Sequence, residues 1–186
     1  MMAMGNREDL LAGARTCLFD KGYARTTVRD ISAAAGVSMA AIGYHFGTKE
    51  ALLTEALAEA TREWGVDLEQ ALADVPHHDT DPWQRFAVRW DAAATTIAAH
   101  RGLWSATFEA LAHPDIRARL ADNLDEARAG LARLFADGAG DSAAGSGALY
   151  QALLTGMAAQ LLIDPDKAPT GSELAEALRR TTSTVS

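Results

Sequence analysis

The segment from Ser38 to Lys49 brings hydroxyl, aromatic, imidazole and ammonium groups together over a short stretch of chain. Tyr44 and His45 are neighbours, and neighbouring side chains on a helix point about 100° apart, so one protein core cannot bury both. Lys49 directly follows Thr48, which can cap a helix, and a positive charge beside the free amides of a helix start forms a phosphate site. These residue types indicate a partner that lies outside the fold and carries phosphate groups.

Catalytic and metal-binding groups are sparse elsewhere in the sequence. His77, His78 and Asp79 are adjacent in a linker, and a solvated loop is the favoured interpretation because metal ligands must converge from separate positions. Cys17 lies on the inward face of the first predicted helix, and no serine, histidine and acid form a recognisable catalytic arrangement. We expect no catalytic residues, no metal, no cofactor and no enzymatic activity.

The composition is typical of a folded cytoplasmic protein. The chain has 186 residues and is 48% apolar, which is enough for a substantial core. Its single cysteine cannot form an internal disulfide, which favours a reducing compartment. Charged residues interrupt the N-terminus early and no stretch of about 18 uncharged apolar residues stands out, so we expect neither export nor a membrane partner.

Charge is distributed unevenly along the chain. Residues 1–50 contain 6 lysines and arginines against 5 acidic residues, a net +1, whereas residues 51–186 contain 11 against 20, a net −9. The overall charge of −8 and the isoelectric point near 5.0 argue against non-specific nucleic-acid binding. A nearly neutral head with clustered basic groups can still bind phosphate. Net charge alone therefore does not decide whether the first part binds nucleic acid.

Apolar residues recur at spacings of three and four almost throughout, which predicts an all-α protein of about nine helices. Thr27, with Asp30 three positions later, caps predicted helix 2, which ends at Gly36. Ser38 caps predicted helix 3, over about residues 39–45. Two short helices joined by a turn that contains glycine form a helix-turn-helix unit, whose second helix lies in the major groove of DNA.

The remaining helices divide the chain into a three-helix head and a larger helical body. Predicted helix 4 is long and joins the two, with a continuous apolar seam of Leu53, Leu57, Ala60, Trp64, Leu68, Ala71 and Val75. Residues 76–80 are predicted to be a linker and residues 138–147 a flexible loop. The other predicted helices are helix 1 (6–21), helix 5 (82–99), helix 6 (102–112), helix 7 (114–134), helix 8 (148–163) and helix 9 (172–182).

The run FDKGYARTTVRDISAAAGVSMAAIGYHFGTKEALL resembles the N-terminal region of the tetracycline-repressor (TetR) family of regulators, over about residues 6–57. The resemblance implies a helix-turn-helix DNA-binding domain over residues 1–50 and an effector-binding and dimerisation domain over residues 51–186. It implies that predicted helices 2 and 3 contact DNA, helix 4 transmits movement, helices 5 to 7 enclose an effector, and helices 8 and 9 form a homodimer. The implied function is a repressor that binds double-stranded operator DNA and is released by a small-molecule effector of unknown identity.

The resemblance assigns DNA contacts to Thr27, Arg29, Ser38, Met39, Tyr44, His45 and Lys49. Independently, Ala40, Ala41 and Gly43 leave the outer surface of predicted helix 3 nearly bare, so that its backbone can approach base edges and Met39 can meet a thymine methyl. Many family members have a tyrosine where this chain has Gly43, so whether Tyr44 takes over that phosphate contact stays open. Taken singly, each residue also fits a plain structural or solvated role.

Aromatic residues share faces on the predicted helices of the body, and such faces with few polar groups line ligand cavities. The hypothesis is an effector pocket formed by Trp64, Phe86, Trp90, Trp104, Phe108 and Met157, with His100 as a polar handle. Ordinary core packing is the alternative for each of these residues.

Small residues form a stripe on predicted helix 8 that permits close approach of another helix. The predicted dimer face consists of Ala148, Leu149, Ala152, Leu153, Gly156, Ala159 and Gln160, and packing against predicted helix 7 is the alternative. A second interpretation of the whole chain is a helical small-molecule binding or sequestering protein whose DNA-binding head is vestigial. Activation instead of repression would use the same DNA contacts.

Overall fold

The computed structural model describes residues 2–75, 81–135 and 143–184, and within these ranges the chain is helical without a β-strand. The prediction of an all-α fold is confirmed. The helices are α1 (Met2–Lys21), α2 (Val28–Ala35), α3 (Met39–Phe46), α4 (Lys49–Ala73), α5 (Pro82–Ala99), α6 (Arg101–Ala110), α7 (Pro114–Asp122), α8 (Leu124–Phe135), α9 (Ala143–Ile163), a short 3-10 helix (Pro165–Lys167) and α10 (Gly171–Thr184).

The helices group into two compact units. The N-terminal unit consists of Met1–Glu63 and Arg101–Ala121, and the C-terminal unit consists of Trp64–His100 and Asp122–Ser186. Compactness thus groups the first part of α4 and all of α6 with the first three helices. The predicted domain boundary at residue 50 separates the expected DNA-binding domain from the expected effector-binding and dimerisation domain, and it stays a prediction.

The core of the N-terminal unit forms where α1 packs on α2. Leu10, Ala14, Leu18 and Ile31 are completely or almost completely buried, and each large apolar side chain buried in this way contributes about 1.5–3 kcal/mol. Gly13 permits the close approach of the two helices, because a Cβ there would lie 2.9 Å from the backbone nitrogen of residue 35. These residues give α1 an apolar face that is directed into the core.

The start of α2 is fixed by the predicted reciprocal cap. The Asp30 amide donates to Thr27 Oγ1 at 3.2 Å, and the Thr27 amide donates to Asp30 Oδ2 at 3.0 Å. Lys21 Nζ donates to Asp30 Oδ1 at 2.6 Å, and this bond, together with the bonds from Thr27, holds the pKa of the Asp30 carboxyl well below its usual range. The helix ends at Gly36, whose φ of 66° lies in the left-handed region that glycine favours.

The prediction that Ser38 caps α3 is wrong in one respect. Ser38 occupies the N-cap position with extended backbone, but its side chain makes no capping hydrogen bond and is exposed. The Ala41 amide instead donates to the Ser38 carbonyl at 3.0 Å. Because α3 has only eight residues, we attribute its stability to packing by Ile42, which is 3% exposed, rather than to a cap.

In the C-terminal unit, α5 contacts both α9 and α10, and α8 packs against α9. Asp81 caps α5 by accepting from the amides of Trp83 and Gln84, as its position before a proline predicts. Two glycines permit very close helix approaches: a Cβ at Gly147 would lie 2.1 Å from the Arg128 carbonyl oxygen, and a Cβ at Gly171 would lie 1.9 Å from the carbonyl oxygen of residue 87.

Predicted helix 7 is wrong as a single element. The structure has two helices there, α7 and α8, which meet at Asn123 and belong to different compact units. Their apolar positions serve two different cores: Ile116 is buried in the first, and Ala132 and Phe135 are buried in the second. Spacings of three and four continue across the break, so periodicity alone could not reveal it, although asparagine is a residue type that competes with helical hydrogen bonding.

Predicted helix 8 starts too late, because α9 already begins at Ala143 and includes part of the predicted loop. Residues 138–142 of that loop and the linker at 76–80 lie outside the described residues. The expectation that no long apolar stretch exists is also wrong: residues 146–163 are long and apolar enough to cross a membrane, and 22% of this window is buried within the chain. A helix that packs in a protein outside the membrane passes the same test, so this one helix is not evidence for a membrane span.

Candidate nucleic-acid interface

The outer surface of α3 is exposed along its whole length. Met39 is 53% exposed and Tyr44 is 81% exposed, which is unusual for large apolar and aromatic side chains. Ala40 and Gly43 lie on the same exposed surface, and a Cβ placed at Gly43 would have no atom within 4 Å. Together with the exposed Ser38, these residues form the surface that we call the α3 outer face (Ser38, Met39, Ala40, Gly43 and Tyr44).

The C-terminal end of α3 is anchored by an aromatic and ionic cluster within the N-terminal unit. The Arg7 guanidinium lies 5.2 Å from the centroid of the Phe46 ring, and Arg7 also pairs with Glu55. His45 is half-buried and its ring meets the Tyr44 ring edge-on, with centroids 4.8 Å apart. Tyr44 stays exposed, so its hydroxyphenyl group is directed away from the core, while these contacts hold the following residues, His45 and Phe46.

The start of α2 contributes two exposed candidates, Thr27 and Arg29. The Thr27 hydroxyl donates to Asp30 Oδ2 at 2.7 Å and also accepts from the Asp30 amide, so its one proton is already used. A phosphate is an acceptor, so contact through Thr27 would require this hydroxyl to leave Asp30. Arg29 carries the positive charge of this turn on an exposed side chain.

Lys49 has a structural contact as well as a candidate role. Its Nζ donates to the Thr26 carbonyl at 3.0 Å and lies 3.5 Å from Glu50 Oε1, and its side chain is half-buried. Thr48 caps α4, as predicted, by accepting from the Ala51 amide at 3.0 Å. An ammonium group has three donors, so Lys49 can connect α4 to the turn before α2 and still contact a phosphate.

Sequence reasoning missed Glu109 of α6, which helps to position the turn between α1 and α2. Its two carboxylate oxygens accept from the amides of Tyr23 and Ala24, both at 2.9 Å. The Tyr23 ring also lies 4.5 Å from the His113 ring. The partners are about 85 residues apart in the sequence, so no local pattern could have revealed the contact.

The residues of the predicted effector pocket are divided between the two units. Trp64, Trp90 and Met157 are buried in the C-terminal unit, where Phe86 is half-buried. His100, also in that unit, contacts Asp67 Oδ2 through Nε2 at 3.1 Å. Trp104 and Phe108 belong to the N-terminal unit, and their ring centroids are 6.3 Å apart. A pocket that joins these residues therefore stays a prediction.

An open cavity of about 180 Å³ lies within the C-terminal unit. It is lined by Pro82, Trp83, Phe86, Arg89, Phe135 and Tyr150. Among the described residues that line this cavity, Phe86 is the one that also belongs to the seven predicted pocket residues.

The predicted dimer face lies on the uncovered side of α9. Its seven residues are all exposed or half-buried, whereas Leu154, Met157 and Ala158 on the same helix are buried. Leu149 is 49% exposed and Ile163, one turn beyond the predicted face, is 83% exposed. A Cβ at Gly156 would have no atom within 4 Å, so the chain itself does not use this small residue for close packing. The dimer face stays a prediction.

Among the described residues, no group of three or more histidine, cysteine, aspartate or glutamate side chains could hold a metal ion. His77, His78 and Asp79 lie outside the described residues. Cys17 is buried, and this burial raises the pKa of its thiol.

Solved structures share this fold over most of their length. A TetR transcription regulator from Haloarcula marismortui is 20% identical, with a TM-score of 0.65, and the match covers 96% of this chain and 95% of that one. The multidrug binding protein EbrR, complexed with imidazole, is 23% identical, with a TM-score of 0.67, and the match covers 94% of this chain and 88% of that one. At these identities the likeness establishes the fold alone.

Sequence comparison establishes the family. The family model for bacterial regulatory proteins of the tetR family matches residues 10–56, which include α2, α3 and the start of α4. The HTH-type transcriptional repressor AcnR of Corynebacterium efficiens is 31% identical over 131 residues, which are 67% of this chain and 69% of that relative. The chain therefore belongs to the TetR family of bacterial regulatory proteins.

Proposed function

We propose that this protein is a transcriptional repressor that binds operator DNA as a homodimer and is released from it by a small molecule. The observation that carries the proposal is the α3 outer face, where Tyr44 is 81% exposed only two residues after Ile42, which is 3% exposed. Relatives named HTH-type transcriptional repressors, AcnR and KstR2, support the repressing role. The protein acts in the cytoplasm, as a DNA-binding protein and not as an enzyme.

In the proposed complex, α3 enters the major groove. Ala40 and Gly43 add almost no bulk, so the helix backbone can approach the base edges. There Met39 meets a thymine methyl, and Ser38 offers a hydroxyl group that makes no capping hydrogen bond in the protein. Tyr44, Lys49 and the amides at the start of α4 bind phosphates, which position the protein without selecting sequence. Ser38 and Met39, which face the bases, thus open α3, whereas the phosphate-binding groups lie at its C-terminal end and at the start of α4.

The proposed dimer forms through α9. This helix exposes Leu149 and Ile163, and 22% of its apolar window is buried within the chain, so a second copy would remove a large apolar surface from water. A dimer presents two copies of α3, and half-sites about 10 base pairs apart then place both copies on one side of the duplex. The operator is accordingly nearly palindromic.

Release requires that the effector favours a dimer whose two α3 helices do not match successive grooves. A coupling energy of about 1–3 kcal/mol lowers DNA affinity by about 5–150-fold. The effector binds in the helical body, for which the cavity in the C-terminal unit is one candidate.

The test uses fluorescence anisotropy with labelled duplexes from the DNA that flanks the gene. We expect a discrete complex whose affinity falls by about a thousandfold between about 50 and 200 mM salt, because phosphate contacts release counterions. Tyr44→Ala should raise Kd at least about tenfold. Its thermal unfolding midpoint should stay unchanged, since the side chain is exposed.

Val66→Ala is the matched control, because Val66 is an exposed apolar residue on α4 in the C-terminal unit. It should leave both DNA affinity and stability unchanged. Equal affinities for wild type and Tyr44→Ala would contradict the proposed interface. A protein that binds small molecules but none of these duplexes would instead be the sequestering protein with a vestigial head.

A further inference from the structure

We propose that the cavity formed by α5, α8 and α9 is a binding site for a planar aromatic carboxylate of one or two rings, and that this ligand is the effector. The regulatory part of this proposal rests on the proposed function. The binding part rests on the cavity alone, which we call the aromatic cavity (Pro82, Trp83, Phe86, Arg89, Phe135 and Tyr150).

Aromatic rings dominate the walls of the aromatic cavity. Trp83 and Phe86 stand edge to face, with ring centroids 6.4 Å apart at 66°, on one side of it. Phe135 and Tyr150 are stacked 4.8 Å apart at 26° and contribute the rings from α8 and α9. Trp83, Phe86 and Tyr150 are half-buried, so their rings still have uncovered surface to offer. Walls of this kind favour flat ligands that stack on ring faces or meet ring edges.

The volume of the cavity limits the size of its ligand. At about 180 Å³ it is smaller than the cavities of about 300–1,000 Å³ that hold drug-sized ligands. It is slightly larger than an engineered cavity of about 150 Å³ that binds benzene. The ligand is therefore a molecule of one or two rings rather than a large polycyclic compound.

Arg89 decides the charge of the ligand. Aromatic rings alone would suit either a neutral or a cationic molecule, since ring faces attract cations. Among the described residues that line the cavity, Arg89 carries the formal charge, and a positive guanidinium disfavours a cation and favours a carboxylate. The guanidinium is held in place, because Nη2 donates to the Leu134 carbonyl and the group lies 5.7 Å from the centroid of the Phe135 ring.

A buried donor next to the cavity also lacks an acceptor. Trp90 contacts two lining rings, since its centroid is 5.7 Å from that of Phe86 and 5.1 Å from that of Phe135. Its indole Nε1 is buried and has no hydrogen-bond partner among the described residues. Trp90 is not part of the cavity lining, so this donor marks an incompletely paired region of the core behind Phe86 and Phe135 and is not counted as a ligand contact.

The location of the cavity connects ligand binding to dimer geometry. Its walls come from α5, α8 and α9, and α9 also carries the predicted dimer face on its uncovered side. Tyr150 lies next to Leu149, one of the exposed residues of that face. A ligand that packs against Tyr150 therefore acts on the helix that sets the arrangement of the two subunits.

The binding test is isothermal titration calorimetry of the full-length protein with three probes of matched shape. These are 2-naphthoate, the neutral 2-naphthamide and the cationic 2-naphthylmethylammonium. We expect 2-naphthoate to bind with a Kd at least tenfold below that of the amide, and the cation to bind least. No saturable binding of 2-naphthoate below millimolar concentration, or equal affinity for all three probes, would overturn the proposal.

Three variants locate the site. Phe86→Trp fills the cavity and should raise the Kd for 2-naphthoate at least tenfold. Arg89→Gln should remove the preference for 2-naphthoate over 2-naphthamide. Phe108→Leu is the control, because Phe108 belongs to the N-terminal unit and to the pocket predicted from sequence. Loss of binding in Phe108→Leu with full binding in Phe86→Trp would overturn the assignment. If Arg89→Gln does not fold, the charge preference of the wild type still decides the ligand class.

The regulatory part is tested with the operator duplex. Saturating 2-naphthoate should raise the Kd for DNA at least fivefold, and Phe86→Trp should abolish this response while DNA binding without the probe stays normal. An unchanged Kd for DNA at saturation would overturn the role as effector site. Failure to bind DNA even without the probe would contradict the proposed function, and the calorimetry would still decide whether the aromatic cavity binds carboxylates.

Discussion

Gly43 and Ile42 are adjacent residues with opposite environments. Ile42 holds α3 in the core of the head, whereas Gly43 faces open space on the α3 outer face. Gly43 lies inside a helix with no positive φ, so the fold does not need a glycine at this position. Its absence of a side chain is instead useful for close approach to a surface outside the chain.

Gly43→Ala should therefore change stability and DNA affinity in opposite directions. Alanine is favoured over glycine inside a helix by about 0.8–1 kcal/mol, so the free energy of unfolding should rise, measured by denaturant titration. The added methyl group should weaken DNA binding at least about tenfold, because it separates the backbone from the base edges. Gly65→Ala is the matched control, since Gly65 lies in α4 with no atom within 4 Å of a new Cβ. A stabilised Gly43→Ala variant that binds DNA normally would show that α3 does not approach the bases closely.

Asp30 predicts how the stability of the head depends on pH. Its pKa is lowered by the hydrogen bond from Lys21 and then by those from Thr27, so its stabilising effect is complete above the unfolded-state pKa of about 3.9 and is lost as pH falls below it. The pKa of Lys21 is raised by the same hydrogen bond, so its contribution is lost only as pH rises above about 10.4. Wild type should be more stable than Asp30→Asn at pH 7, and the difference should shrink below about pH 4. A difference independent of pH would contradict this account of the cap.

At the scale of helices, two glycines of α9 face different partners. Gly147 is buried against α8, where a Cβ would lie 2.1 Å from the Arg128 carbonyl oxygen, whereas Gly156 has open space and lies on the predicted dimer face. Gly147→Ala should destabilise the subunit by about 1–3 kcal/mol, because neither helix backbone can yield easily. Gly156→Ala should instead raise subunit stability by about 0.8–1 kcal/mol, because alanine is favoured over glycine inside a helix, and it should raise the dimer dissociation constant, measured by sedimentation. Equal effects of the two substitutions on dimerisation would contradict the assignment of the two faces.

The elements also mark how far sequence reasoning extends. The predictions that Thr27 and Asp30 cap α2 and that Gly36 ends it are confirmed, because each signal lies within a few residues of the feature it specifies. The break at Asn123 was missed because the apolar spacing continues across it. Glu109 at the α1–α2 turn and the pairing of Phe135 with Tyr150 in the cavity depend on contacts between distant segments, which no local pattern encodes.

At the scale of the whole molecule, the head and the body differ in net charge, which fits a protein that binds DNA through its head alone. The first 50 residues carry a net +1 and the rest a net −9, so attraction to DNA is local to the head while the body is repelled. Such a protein depends on a few well-placed contacts instead of a general basic surface. Its binding should accordingly be selective, and a dimer should recognise a sequence with two related halves.

Selection of genomic DNA fragments by the purified protein tests the central claim most directly, with Tyr44→Ala selected in parallel. Wild type should enrich a small set of fragments that share a nearly palindromic sequence, and Tyr44→Ala, although folded, should enrich none of them. Enrichment of no shared sequence by the wild type, or equal enrichment by both proteins, would contradict the claim that the α3 outer face reads operator DNA.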